Sequence, residues 1–235
     1  MKIVKYSQST FVVENKSGCR LLIDPGKYNY DNGFSPEDFG KIDVLVITHK
    51  HEDHHDTTAE EVIVRKWSPI VITNTEIAME PNSQKFNYNA HSVGDKVDIK
   101  GFEISFVAAD HFAKCEHIIN FGLFIVADNL SFYHTSDTRF METCYYNHEL
   151  VKNSTVLAVP ISNRGVVMGI DDSIAFTSQI EPTFVIPMHY DSPKDKTRVS
   201  PEDFVEKFEI LKTRIPNLSR IKIKVLNFNE TLTID

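Results

Sequence analysis

A run of seven residues, Thr48-His49-Lys50-His51-Glu52-Asp53-His54, constrains this chain more than any other stretch. It reads H-x-H-x-D-H and directly follows an apolar tetrapeptide, Val44-Leu45-Val46-Ile47. A short aliphatic run bounded by polar sequence reads as a strand covered on both faces. The imidazoles and carboxylate at its end are borderline-to-hard donors that suit Zn, Fe or Mn. A strand held by its ladder positions such donors better than a free loop does. The fold must therefore bury a sheet and bring further ligands to the end of this strand.

Composition sets the frame for that sheet. The chain has 235 residues, is 41% hydrophobic and 11% aromatic, and carries 16 Phe. That is enough for a sizeable core, since each aromatic ring buries a large area. The net charge of −8 argues against a nucleic-acid partner gripped by a general basic surface. Cys19, Cys115 and Cys144 are odd in number and widely spaced, without C-x-x-C, which fits a reducing compartment and no disulfide scaffold. The first residues hold no hydrophobic signal core, and no window approaches the ~18 apolar residues of a membrane helix. The expectation is a cytoplasmic protein without membrane insertion.

Along the chain, Thr10 to Glu14 and Arg20 to Ile23 read as the start of a β-meander, closed by the turn Asp24-Pro25-Gly26. Residues 27–41 are polar and marked by Gly and Pro, and are expected to form a loop. A helix is predicted over 56–66, a strand over Ile70–Thr73 and a short helix after Thr75. Hairpins are predicted for Lys96–Ile99 with Phe102–Ala108 and for Phe121–Ala127 with Leu130–His134. A helix near 142–150 precedes the strand Val156–Pro160, followed by a helix over Asp171–Ile180 and a strand over Thr183–Pro187. Ser200-Pro201-Glu202-Asp203 supplies a cap, a proline at the first position and first-turn acids for a helix to about Thr213. Ile221–Leu226 and Thr231–Ile234 close the chain as strands. No linker separates the two halves, so residues 1–235 are expected to form a single domain.

Three more candidate ligands stand at the ends of apolar strands: His111, Asp137 and His189. His111 directly ends its strand and is preferred to His117. His134 either orients a ligand or packs. His55 is expected beside a helix N-terminus, and His91 and His148 on the surface.

The order H-x-H-x-D-H, His, Asp, His resembles the metallo-β-lactamase superfamily. Leu22-Ile23-Asp24-Pro25-Gly26 resembles that family's early strand and turn, Tyr133-His134-Thr135-Ser136-Asp137-Thr138 its strand to a shared aspartate, and Pro187-Met188-His189-Tyr190 its last ligand motif. With Pro160-Ile161-Ser162, Val167-Met168-Gly169 and Asp172-Ser173-Ile174-Ala175, the chain looks closest to the branch of ascorbate-6-phosphate lactonase-like and N-acyl-phosphatidylethanolamine phospholipase-like enzymes. The resemblance implies an α+β fold, an αββα four-layer sandwich of two mixed sheets packed face to face with helices outside. It implies two divalent ions, zinc by preference with Mn, Fe or Ni as alternatives. His49, His51 and His111 would hold the first ion, Asp53, His54 and His189 the second, and Asp137 both. It further implies a dinuclear hydrolase that uses a hydroxide bridging the ions on a small ester, lactone or phosphodiester, with Asp53 orienting that nucleophile or taking its proton.

Ser136 departs from the glycine usual before the shared aspartate, and Asn163-Arg164-Gly165 adds a guanidinium where relatives are small. Arg164, His117 and Tyr190 are the candidate substrate contacts. Glu52, Asp56 and Thr138 are candidate partners of the ligating histidines. Two alternatives use the same ligand set: an RNA-processing phosphodiesterase, disfavoured by the absence of an RNA-binding arm, and an iron-dependent oxidoreductase. A non-catalytic reading is disfavoured by the complete set of ligands. The expected partner is a small molecule, with homo-oligomerisation left open.

Overall fold

The computed structural model describes residues 1–80, 85–113, 115–141, 147–162, 165–194 and 199–235. In chain order the first strands are β1 (Lys2–Lys5), β2 (Phe11–Glu14), β3 (Arg20–Ile23), β4 (Val44–Ile47), β5 (Ile70–Asn74) and β6 (Tyr88–His91). Then come β7 (Lys96–Ile99), β8 (Phe102–Ala108), the short pair β9 (Phe112–Ala113) and β10 (Glu116–His117), β11 (Phe121–Ala127) and β12 (Leu130–His134). The last are β13 (Val156–Pro160), β14 (Phe184–Met188), β15 (Lys222–Ile223) and β16 (Glu230–Thr233).

Two seven-stranded sheets result, in the orders β16-β1-β2-β3-β4-β5-β6 and β15-β14-β13-β12-β11-β8-β7. Both follow one pattern. In the first, β16, β1, β2 and β3 pair antiparallel and β3 to β6 pair parallel. In the second, β7, β8, β11 and β12 pair antiparallel and β12 to β15 parallel.

The strand pleat explains the layers. Val44 and Val46 join Phe11, Leu123, Phe132 and Ile186 in the core between the sheets. Their neighbours Leu45 and Ile47 point the other way, into a cluster with Ile63 of α2 (Thr57–Trp67) and Phe39. On the second sheet Leu157, Val159 and Val185 pack outward against Ile174 and Phe176 of α5 (Ile170–Ile180) and Phe204 and Phe208 of α6 (Pro201–Lys212). All four residues of β4 are buried, as a strand covered on both faces demands. This is the expected α+β sandwich, with helices outside two mixed sheets.

Three expectations are corrected. Residues 27–41 are not a plain loop: they hold α1 (Lys27–Asp31) and a 3-10 turn over Pro36–Phe39. Tyr28 and Phe39 are buried there, and the Asn29 amide donates to Thr10 Oγ1 and Gly26 O. The strand expected over 221–226 shortens to β15, because Ile221 belongs to the outer cluster and Leu226 to the inter-sheet core. The chain crosses there from the second sheet to the first. Strand β1 was not anticipated: its alternation Lys-Ile-Val-Lys ends in a buried lysine. Of the helix expected near 142–150, α4 (His148–Val151) is seen, and 142–146 lie outside the described residues. A further short helix is α3 (Thr75–Ala78), and a 3-10 turn spans Pro216–Leu218.

The topology fixes where chemistry can sit. Strand β8 runs antiparallel to β11, and β11 antiparallel to β12, so β8, β12 and β14 all end at the same edge of the second sheet. The residues that follow them include His111, Asp137 and His189. The residues that follow β4 of the first sheet meet them there.

Candidate metal centre

Two groups of side chains converge at that edge. His49, His51, His111 and Asp137 form one, Asp53, His54, Asp137 and His189 the other, and within each group the donor atoms lie within 4.8 Å of one another. All seven residues named from the sequence are therefore brought together. His117 is not: its side chain is 76% exposed, 3.8 Å from Asp110 and edge-on to Phe112. Tyr190 is half-buried behind the site, its ring 5.0 Å from Lys5 Nζ, and burial pushes its hydroxyl pKa up. Arg164 lies outside the described residues.

In the first group two of the three imidazoles, His111 and His49, are oriented through their second nitrogen. His111 Nδ1 donates to the Val166 carbonyl at 3.1 Å, which leaves Nε2 with its lone pair. His49 Nδ1 lies 3.1 Å from Thr48 Oγ1. The nitrogens left over converge: His51 Nδ1 is 3.1 Å from His49 Nε2 and 3.0 Å from His111 Nε2. One N–H at most can serve both contacts. Donors on a tetrahedral ion at ~2.1 Å stand about 3.4 Å apart, so this spacing suits a shared cation.

The second group fits the same test. His54 Nε2 lies 3.1 Å from Asp137 Oδ1, and His189 Nε2 lies 3.2 Å from Asp137 Oδ2 and 3.3 Å from Asp53 Oδ2. Yet His54 Nε2, His189 Nε2 and Asp137 Oδ1 are buried without a hydrogen bond. These atoms are close but do not point at one another. Buried polar atoms that are unpaired are costly, and a common cation satisfies all of them at once.

Protonation differs between the groups. Burial, reinforced by neighbouring histidines, holds His49 well below the usual imidazole range and lowers His51. His111 is lowered by burial in spite of Asp137. For His54 and His189 burial is overcome by carboxylates: Asp137, Asp53 and Asp24 raise His54 well above its ordinary value, and Asp137 and Asp53 push His189 up to about 10. Conversely, burial of Asp137 is outweighed by His189 and His54, which hold its carboxyl well below the usual range. Asp53 is likewise lowered, mainly through His54, against the opposing effect of burial.

The supporting residues were mostly missed by sequence reasoning. Asp24 Oδ2 accepts from His54 Nδ1 at 2.8 Å and from Thr48 Oγ1 at 2.7 Å, while Oδ1 accepts the Thr48 amide at 2.7 Å. One buried carboxylate thus ties the turn after β3 to both ends of the ligand run. Gly26 permits that closeness: a Cβ there would stand 2.0 Å from the Asp53 carbonyl carbon. Of the expected partners, Glu52 pairs with Lys194 and Lys27, Asp56 caps α2 and Thr138 Oγ1 accepts the Asp110 amide. His55 pairs with Glu60 at 2.8 Å. His91 is half-buried against Phe106 and His148 bonds the Gln179 carbonyl, so neither is a bare surface residue.

Ser136 has φ of 56°, the left-handed region that favours glycine. Its hydroxyl lies 2.8 Å from Thr48 Oγ1 and 2.9 Å from Asn120 Oδ1, and the Asn120 amide donates to the Asp137 carbonyl. His134 Nδ1 accepts the Ser136 amide and Nε2 donates to Ser9 O, so it holds the turn before Asp137. A cleft of about 930 Å³ opens over the ligands, lined by Tyr28, Lys50, Ala113 and Val166.

A family model described as a β-lactamase superfamily domain matches residues 2–189. A UPF0173 metal-dependent hydrolase of Nanoarchaeum equitans is 32% identical, with 82% of this chain and 85% of that protein covered. Another, of Methanocaldococcus jannaschii, is 29% identical over 89% of this chain and 93% of its own length. Among solved structures, the metallo hydrolase Igni18 of Ignicoccus hospitalis superposes with a TM-score of 0.76 at 24% identity, over 100% of this chain and 98% of that one.

Proposed function

Because the chain belongs to the β-lactamase superfamily and is a metal-dependent hydrolase of the UPF0173 kind, we propose that it holds two divalent ions and hydrolyses a small ester, lactone or phosphodiester. The observation that carries this reading is the position of Asp137. One of its oxygens faces His54 Nε2 at 3.1 Å, while the other faces His189 at 3.2 Å and His111 at 3.7 Å. A single carboxylate that belongs to two donor groups suits two adjacent cations better than one.

His49, His51 and His111 would hold the first ion, and Asp53, His54 and His189 the second. When bound, such ions lower the pKa of water and stabilise negative charge that develops on a substrate oxygen. Zinc suits the nitrogen-rich donors, with Mn, Fe and Ni as alternatives. The rest is the work of the chain. Asp53 lines the cleft with its carboxyl depressed, so it is ionised at neutral pH and is placed to orient a nucleophilic water or take its proton. Asp24 fixes the tautomer of His54 through Nδ1. Tyr28, Ala113 and Val166 give the cleft apolar wall surface against which an apolar part of a substrate would pack. A cleft of about 930 Å³ suits a small molecule. The net charge of −8 disfavours RNA.

The test is hydrolysis of a panel of esters, lactones and phosphodiesters by metal-loaded protein, beside Asp137→Ala and His189→Ala. Turnover that both variants abolish supports the reading. Unchanged turnover in both variants contradicts it.

A further inference from the structure

Among the described residues, His189 is the one ligand of its group whose ring has no orienting partner. His54 has Asp24 and His111 has the Val166 carbonyl, but neither ring nitrogen of His189 makes a hydrogen bond. A ligating imidazole is ordinarily held through its second nitrogen. Here φ of His189 is 60°, so the backbone before the ring is itself in the left-handed region. A side chain other than glycine stays there only where its surroundings fix it.

The surroundings that fix it lie at the other end of the chain. The His189 amide donates to the Gln8 carbonyl at 3.3 Å, and Gln8 is also left-handed, with φ of 55°. Two residues on, Asp191 Oδ1 accepts from the Gln8 amide at 2.5 Å and from Gln8 Nε2 at 2.9 Å. Asp191 Oδ2 accepts from Lys5 Nζ at 2.6 Å. The Lys5 side chain is 0% exposed; its ammonium also donates to Tyr6 O and lies 5.0 and 5.2 Å from the rings of Tyr190 and Phe228. A fully buried cation is retained only with such compensation.

The Gln8 side chain then has one atom left. Its Nε2 is committed to Asp191, so its Oε1 faces away, and that oxygen is buried without a partner, as is His189 Nδ1. Gln8 and His189 both line a cavity of about 20 Å³, together with Tyr28, Asp53, Ser162, Tyr190 and Ser192. That volume accommodates one water molecule. A water held there would accept from His189 Nδ1–H and donate to Gln8 Oε1.

We infer that Lys5, Asp191 and Gln8 are positioning residues for His189, with Gln8 acting on the ring through one buried water. The inference rests on the two-ion reading above. The device stands on the first strand and acts on the last ligand, so it clamps the two sheets together at the second donor group alone.

The test is a cobalt(II) titration of metal-free protein followed by visible absorption, with thermal unfolding of the same metal-free samples. Gln8→Met keeps the volume and removes the amide; Asp191→Asn keeps the shape and removes the charge that faces Lys5. For wild type two equivalents are expected. For Gln8→Met the second equivalent binds about 10–100-fold more weakly, the first is unchanged and the unfolding temperature is retained. Asp191→Asn weakens the same equivalent and also lowers the unfolding temperature, because Lys5 loses its partner. Two equivalents bound by Gln8→Met as tightly as by wild type overturn the inference and leave the two-ion reading standing. A single equivalent in wild type overturns that reading and the inference with it.

Discussion

The two donor groups share Asp137 yet are built in opposite ways. The first is three imidazoles packed against one another, with pKa values pressed down by burial and by their own neighbours. It is neutral in the metal-free protein and presents lone pairs. The second sets His54 and His189 beside Asp137 and Asp53, whose charges raise both imidazoles and favour their protonated forms in the metal-free protein. On the two-ion reading, a cation would enter the first group without displacing protons and the second by replacing them. The difference teaches that one carboxylate can serve a group that needs its charge and a group that needs only its geometry.

The harshest way to break the comparison is to remove what the groups share. Asp137→Ala is expected to lower turnover by at least about 10³-fold and to cut metal content at both groups, read by steady-state kinetics and elemental analysis. Gly26→Ala attacks the second group from outside. The new methyl meets the Asp53 carbonyl, so the turn must shift, at a cost of about 1–3 kcal/mol or more, seen as a lower unfolding temperature with metal loss at Asp53 and His54 first. Asp24→Asn is milder. It keeps the shape but removes the charge beside His54, and the second ion is expected to bind about 10–100-fold more weakly in a competition assay.

A pH series sharpens the contrast without mutation. Binding at the second group releases a proton from each of His54 and His189, about tenfold in affinity per pH unit for each, so its affinity is expected to rise up to about a hundredfold per pH unit above pH 7 while both stay protonated, and affinity at the first group stays nearly flat. The stability of chelator-treated protein moves the other way. His189 has a raised folded-state pKa, so its ion pairs stabilise the metal-free protein fully below about pH 6.5 and lose that effect as pH rises through about 10. Unfolding temperatures between pH 6 and 10, with and without metal, report both trends. The smallest effect is expected for Ser136→Gly. It relieves the left-handed backbone but removes the hydroxyl that bonds Thr48 or Asn120, two terms of about 1 kcal/mol that nearly cancel.

The ligands were legible because each is the polar end of an apolar strand, and β4, β8, β12 and β14 announce themselves by local pattern. Asp24, Gln8 and Asp191 were not legible as supports. Their partners are distant in sequence: Lys5 and Asp191 are 186 positions apart, Asp24 and His54 are 30. As sequence, Asp24 reads as a turn residue, and Lys5 lies in a segment where no strand is read. The 3-10 turn at Pro36 had a signal that went unused. Ser35-Pro36-Glu37-Asp38 repeats the tetrapeptide Ser200-Pro201-Glu202-Asp203 that starts α6, and both form the same capping box. The shared pairing pattern of the two sheets leaves no repeat in the sequence, because hydrogen-bonded ladders constrain burial and not residue identity.

The central claim is that Asp137 serves two ions, and metal content per chain tests it most directly. The protein is purified without chelator or nickel affinity resin, reconstituted, and measured by elemental mass spectrometry. About two divalent ions per chain in the wild type is the expected result. One ion per chain, or none after reconstitution, would contradict the account.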